Sequence, residues 1–240
     1  MFELFFAAAA LAIAGLSKGL VGLGLPPIAM GLLVIIMPAV DAAAIMVIPA
    51  LLTNIWQGLR GPALAALLAR FWLMLFLTGA ATLAFAGALA RFGEVAIAVL
   101  GALLILYGAY GLRSPKIVLS AGTERWAGPL SGAATGVVTA FTGVSSMPSV
   151  PFLQSVGLER DAFVQAMGLS FSVSALGLLA ALGLSGGLAG TSVNVIGLAT
   201  CSAFAGMAVG ARLRQRLDEV LFRKLILWVL VALGAYLLVG

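Results

Sequence analysis

Ser17-Lys18-Gly19-Leu20-Val21-Gly22-Leu23-Gly24-Leu25-Pro26-Pro27 interrupts what would otherwise be a long apolar run from the N-terminus. Three glycines and two prolines in eleven residues do not continue a regular helix, because proline lacks a backbone donor and its ring clashes with the preceding turn. In hydrocarbon every freed backbone group needs a partner, so irregular backbone is tolerated only within protein or around a wet cavity. The stretch therefore predicts a broken helix turned into the interior of a bundle. Its free amides, with the positive end of the helix that opens near Pro26, suit an anion.

The rest of the chain supplies the bundle. Hydrophobic residues make up 63% of the 240 and charged residues 9%, against about 25% charged in a soluble domain, so lipid is the main solvent. Apolar runs long enough to cross a bilayer as helices recur along the chain. A transmembrane barrel would instead alternate over short segments. The formal charge of +5 does not indicate nucleic acid, because the cations gather at helix ends, where they orient a membrane protein. No histidine and a lone cysteine, Cys201, leave no ligand set for structural zinc or haem, and no cofactor is expected. Glu3 stands where a signal peptide needs positive charge, so the N-terminal run reads as a retained first helix.

Breakers divide the chain into ten elements in two groups of five. The first membrane repeat, 1–112, holds elements near 2–22, 27–38, 42–59, 64–90 and 94–112. Residues 113–126 read as a cytoplasmic linker. The second repeat, 127–240, holds elements near 127–143, 147–157, 160–184, 189–211 and 219–240. Gly15, Gly22 and Pro27 recur at the same spacing as Gly136, Gly143 and Pro148, and Asp41 and Asp161 each open a long helix. Gly-Ala-Tyr closes both halves, at 108–110 and 234–236. The expected fold is all-α, with two pseudo-symmetric repeats whose second element is short and re-entrant.

Charge fixes the expected topology. If elements six and seven form a hairpin that returns to its own side, Arg60, Arg70, Arg113, Lys116, Arg125, Arg160, Arg212, Arg214, Arg216, Arg223 and Lys224 share one face. Only Arg91 then faces the other side. A single crossing by that pair would put the 212–224 cluster opposite the linker, so the positive-inside rule favours the hairpin. The halves are then inverted, as in transporters that bind substrate near the midplane at broken helices. Both termini face away from the cytoplasm, and the setting is the cell inner membrane. The alternative is five plain helices per half.

Lys18 is the one cation far from a helix end, where a charge needs pairing or hydration. It reads as an anion-binding or gating cation beside Ser17, Gly22 and Gly24, or as a lysine snorkelling to the interface. The corresponding stretch, 139–149, replaces glycines with hydroxyls: Thr142, Gly143, Ser145 and Ser146 face a ligand or satisfy their own helix. Asn54 and Ser174 fall thirteen residues after Asp41 and Asp161, at matching places on the next long helices. Asp41, Asp161, Asp218 and Glu219 read as helix-start caps. The glycine faces 15–19, 128–136 and 206–210 read as helix contacts within the chain, and a homodimer stays open. An intramembrane enzyme would need a nucleophile with a base, or metal ligands; with no histidine, one cysteine and no buried carboxylate pair, only a serine–lysine pairing through Lys18 is left for it.

Around Gly15-Leu-Ser-Lys-Gly-Leu-Val-Gly-Leu-Gly-Leu-Pro-Pro27 and Gly136-Val-Val-Thr-Ala-Phe-Thr-Gly-Val-Ser-Ser-Met-Pro148, and again over 204–240, the chain resembles the TauE/SafE family of sulfite and organosulfonate exporters. Family members often carry a glycine triplet after each first helix. Here those places hold Gly22-Leu-Gly24 and Gly143-Val-Ser145. The resemblance implies a permease for a small, oxygen-rich sulfur anion, driven by a gradient of protons or Na+.

Overall fold

A computed structural model describes residues 2–113, 117–214, 216 and 218–239, and the regular structure among them is entirely helical. The first half contains α1 (Phe2–Val21), α2 (Leu25–Leu33), α3 (Ala39–Leu59), α4 (Leu64–Ala84), α5 (Ala88–Arg91) and α6 (Gly93–Arg113). The second contains α7 (Ala121–Thr142), α8 (Ser149–Ser155), α9 (Arg160–Leu184), α10 (Val193–Leu213) and α11 (Glu219–Val239). Seven of them, α1, α3, α4, α6, α9, α10 and α11, are long and apolar enough to cross a membrane. The chain is a multi-pass membrane protein. Helix α7 is more polar, but its 22 residues extend about 33 Å at 1.5 Å per residue.

Two boundaries differ from the sequence reading. The element expected over 64–90 breaks after Ala84 and restarts as α5, with Gly87 left-handed at φ 85° between them. Helix α7 begins at Ala121, inside the stretch read as a linker. Ser120 Oγ accepts from Thr123 N at 3.3 Å, and Glu124 lies in the first turn, so a side-chain cap and a favourable dipole carry the helix through the charged residues. Linker residues 114–116, including Lys116, lie outside the described residues. Of the acids expected to cap, Asp218 does so, accepting from Val220 N at 2.8 Å and Leu221 N at 3.3 Å. Asp41 and Asp161 occupy first turns without a side-chain cap bond.

The most extensive packing pairs α1 with α10, α4 with α7, α6 with α11 and α3 with α9. Gly15 and Gly19 of α1 lie against the carbonyls of Ala203 and Met207, while Gly206 and Gly210 lie against those of Ala12 and Leu16. A Cβ at any of these positions would overlap the partner's backbone, so only glycine permits this approach. Because the paired numbers rise together, α1 and α10 are parallel. Gly132 against Met74 and Gly136 against Thr78 make α7 and α4 parallel in the same way. Gly101 opposes Gly234 while Gly111 opposes Leu227, so α6 and α11 are antiparallel. The expected small-residue faces are therefore contacts within the chain.

Hydrogen bonds gather several termini at one end. Gln57 Nε2 near the end of α3 donates to Gly22 O (3.2 Å) and Val164 O (2.9 Å). Leu119 N donates to Ser155 O (2.8 Å), so α7 leaves this end and α8 returns to it. Arg70 pairs with Glu124 at 2.6 Å and donates to Val156 O at 3.0 Å. Arg160, Arg223 and Lys224 line one crevice here with Gly111 and Leu112. The 212–224 cations thus lie at the end where α7 begins.

Candidate functional site

The two breaks in the helices meet inside the bundle. Gly22 and Gly24 adopt φ values of 81° and 102°, Gly143 ends α7 at φ 71°, and Leu25, Pro26, Pro27, Ser145 and Ser146 are all buried. Left-handed backbone is open to glycine at little steric cost, and these three glycines let the backbone turn at the two breaks. Gly143 faces the side chain of Met30 on α2, which brings the second break against the first hairpin. Between them lies a narrow cavity of about 10 Å³, room for about one water, whose polar wall is Asn54, Thr139, Gly143, Ser145 and Ser174. Pro26 and apolar side chains of α3 and α9 complete it.

Lys18 is 4% exposed and Asn54 1%. The Lys18 ammonium donates to Thr53 Oγ1 at 3.2 Å and to Asn54 Oδ1. No carboxylate among the described residues pairs with it, and the Arg70–Glu124 ion pair lies at the end of the bundle. Lys18 does not snorkel. It sits about one helical turn before the end of α1, and its charge is met by neutral acceptors alone. The Asn54 Nδ2 donor is buried with no partner, an unusual condition for a native buried amide.

The predicted residues separate into three sets. Asn54, Gly143, Ser145 and Ser174 share the cavity wall, with Lys18 behind Asn54. Ser17 and Gly24 instead line a second cavity of about 20 Å³ with Tyr107, Tyr110 and Arg223, and Ser17 Oγ donates to Leu23 O at 3.3 Å. Gly22 and Thr142 serve the turns themselves. The Gly22 carbonyl receives Gln57, while Thr142 Oγ1 donates to Val138 O (2.7 Å) and accepts from Val144 N (3.2 Å). Ser146 is 2% exposed but is not part of the cavity wall.

Thr139 was not among the predicted residues, although its signal was present. It follows Gly136 by three residues, as Lys18 follows Gly15. Gln165 has a structural task. Fully buried on α9, it donates to Gly58 O (3.0 Å) and Gly61 O (3.1 Å) and accepts from Ala63 N (3.1 Å), which satisfies the α3–α4 loop.

The cavity wall holds one buried N–H donor without a partner, Asn54 Nδ2, with the Lys18 ammonium on the other end of the same amide. No curated protein and no solved structure matches the chain. The family model described as Sulfite exporter TauE/SafE matches residues 7–237, nearly the whole length. A match of that extent, over a chain with seven helices long and apolar enough to cross a membrane, makes this protein a member of the sulfite exporter TauE/SafE family of membrane transporters.

Proposed function

We propose that the protein is a secondary transporter that exports sulfite or an organosulfonate from the cytoplasm across the cell inner membrane. The observation that carries this reading is Lys18, a buried cation whose partners are neutral and which adjoins a cavity wall of amide and hydroxyl groups. A charge so placed is costly unless a ligand of opposite sign visits it. Thiosulfate and small carboxylates present similar oxygens and are the nearest rivals as substrate.

The helix pairings support an inverted repeat. Exchanging the halves turns α1/α10 into α7/α4 and leaves α3/α9 and α6/α11 as they are. Gly79 against Val173 and Gly177 against Thr82 make α4 parallel to α9. Because α9 and α10 are joined by a short turn and reverse direction, α4 opposes α10, its counterpart in the other half. Counterparts that run in opposite directions are what an inverted duplication gives. Each long first helix and its short partner then form a re-entrant hairpin, and one half rocks against the other to expose the cavity alternately. By the positive-inside rule the clustered cations favour a cytoplasmic position for their end, with both termini outside. A proton or Na+ gradient drives the cycle.

The test is sulfite efflux from proteoliposomes loaded on one side. Wild-type protein is expected to move sulfite above the rate of empty vesicles and Lys18→Met to lose most of that flux. Efflux no faster than empty vesicles for sulfite, taurine, thiosulfate and acetate would leave a non-transporting role.

A further inference from the structure

We infer that Asn54 is the residue that contacts the anion, and that Lys18 acts behind it by fixing the direction in which the Asn54 amide faces. This rests on the reading of the cavity as an anion site and assigns roles within it. A lysine ammonium has three donors and no acceptor, so whatever faces it must accept. Thr53 Oγ1 does so at 3.2 Å while giving its own proton to Pro49 O at 2.8 Å. Asn54 does so through Oδ1. The two ends of a carboxamide point apart, so holding Oδ1 on the lysine turns Nδ2 the other way. Asn54 belongs to the cavity wall and Lys18 does not, which makes Nδ2 the end of the amide left for the cavity. That atom is buried without a partner.

The rest of the wall agrees with a donor at this point. Thr139 Oγ1 and Ser174 Oγ give their protons to their own helices, at Thr135 O (2.7 Å) and Ser170 O (3.0 Å). With its single proton given to its own helix, neither hydroxyl has one left for a ligand. An incoming oxyanion oxygen satisfies Nδ2 directly and lies close enough to Lys18 to feel its charge. Without the lysine the amide is free to turn its carbonyl toward the cavity, which repels the same oxygen.

The experiment is sulfite binding by purified full-length protein in nanodiscs, read by calorimetry and by thermal stabilisation. Asn54→Asp exchanges the donor for a carboxylate that pairs with Lys18. Its unliganded melting temperature is expected to equal or exceed that of wild type, while sulfite affinity falls about tenfold or more. Lys18→Met should weaken binding to a similar degree, and Lys18→Gln, whose amide can still donate to Asn54 Oδ1, should recover about fivefold of that loss. Asn54→Asp binding sulfite as well as wild type would overturn the assignment. So would Lys18→Gln binding no better than Lys18→Met, since charge rather than orientation would then be the contribution. Wild-type protein without affinity for sulfite would remove the transport reading itself, a result distinct from either.

Discussion

At residue 24 the backbone and a side chain constrain the same atom. Gly24 sits at φ 102°, and an added Cβ would lie 2.8 Å from Ser17 Oγ. Gly24→Ala is therefore expected to destabilise the protein by about 1–2 kcal/mol from the left-handed conformation alone, seen as a lower melting temperature. Adding Ser17→Ala relieves the contact but not the φ strain, so it should restore only part of the loss. Lys18 illustrates a different dependence. The sequence marks it as unusual by depth, yet its alternative as a snorkelling lysine could be dismissed only once Thr53 and Asn54 were seen to hold its ammonium.

Among the elements, glycine placement decides which helices touch. Gly206→Leu should drive α10 from the Ala12 carbonyl and lower the melting temperature by several degrees, whereas Gly93→Ala, which meets nothing within 4 Å, should be neutral or slightly stabilising. Differential scanning fluorimetry in detergent distinguishes the two. Gln165→Leu would leave Gly58 O, Gly61 O and Ala63 N unpaired at the α3–α4 loop. With about 1–3 kcal/mol lost per buried unsatisfied group, the expected outcome is low yield of folded protein on size-exclusion chromatography. Chemical denaturation should rank Gln165→Leu below Gln165→Glu, which keeps the acceptor for Ala63 N.

For the whole molecule the testable quantity is sidedness. In a Cys201→Ser background, a cysteine at Gly190 should react with an impermeant maleimide in intact cells. A cysteine at Ser120 should react only after permeabilisation; both positions are exposed and lie toward opposite ends of the bundle. Reversed labelling would turn the molecule over and put the clustered cations outside, against the orientation argued from charge.

Much of the architecture was readable from the chain because lipid imposes few choices. Apolar runs must be helices, and breakers must be buried in protein, so the helices expected over 2–22 and 160–184 appear as Phe2–Val21 and Arg160–Leu184. Charged residues misled the reading at 113–126, where a serine cap outweighed polarity and α7 started at Ala121. The site was legible as a set of residue types, since Lys18, Asn54, Ser145 and Ser174 stand out as polar groups in apolar runs. Which of them meet was not. Thr142 and Ser145 are three residues apart and chemically alike, yet one caps its own turn and the other lines the cavity. The sequence by itself determined a bundle of helices with two buried breaks, because period, length and breakers are local properties. Only the tertiary structure decided that Asn54 stands between Lys18 and the cavity, because that depends on how closely glycine-faced helices approach and how they turn about one another.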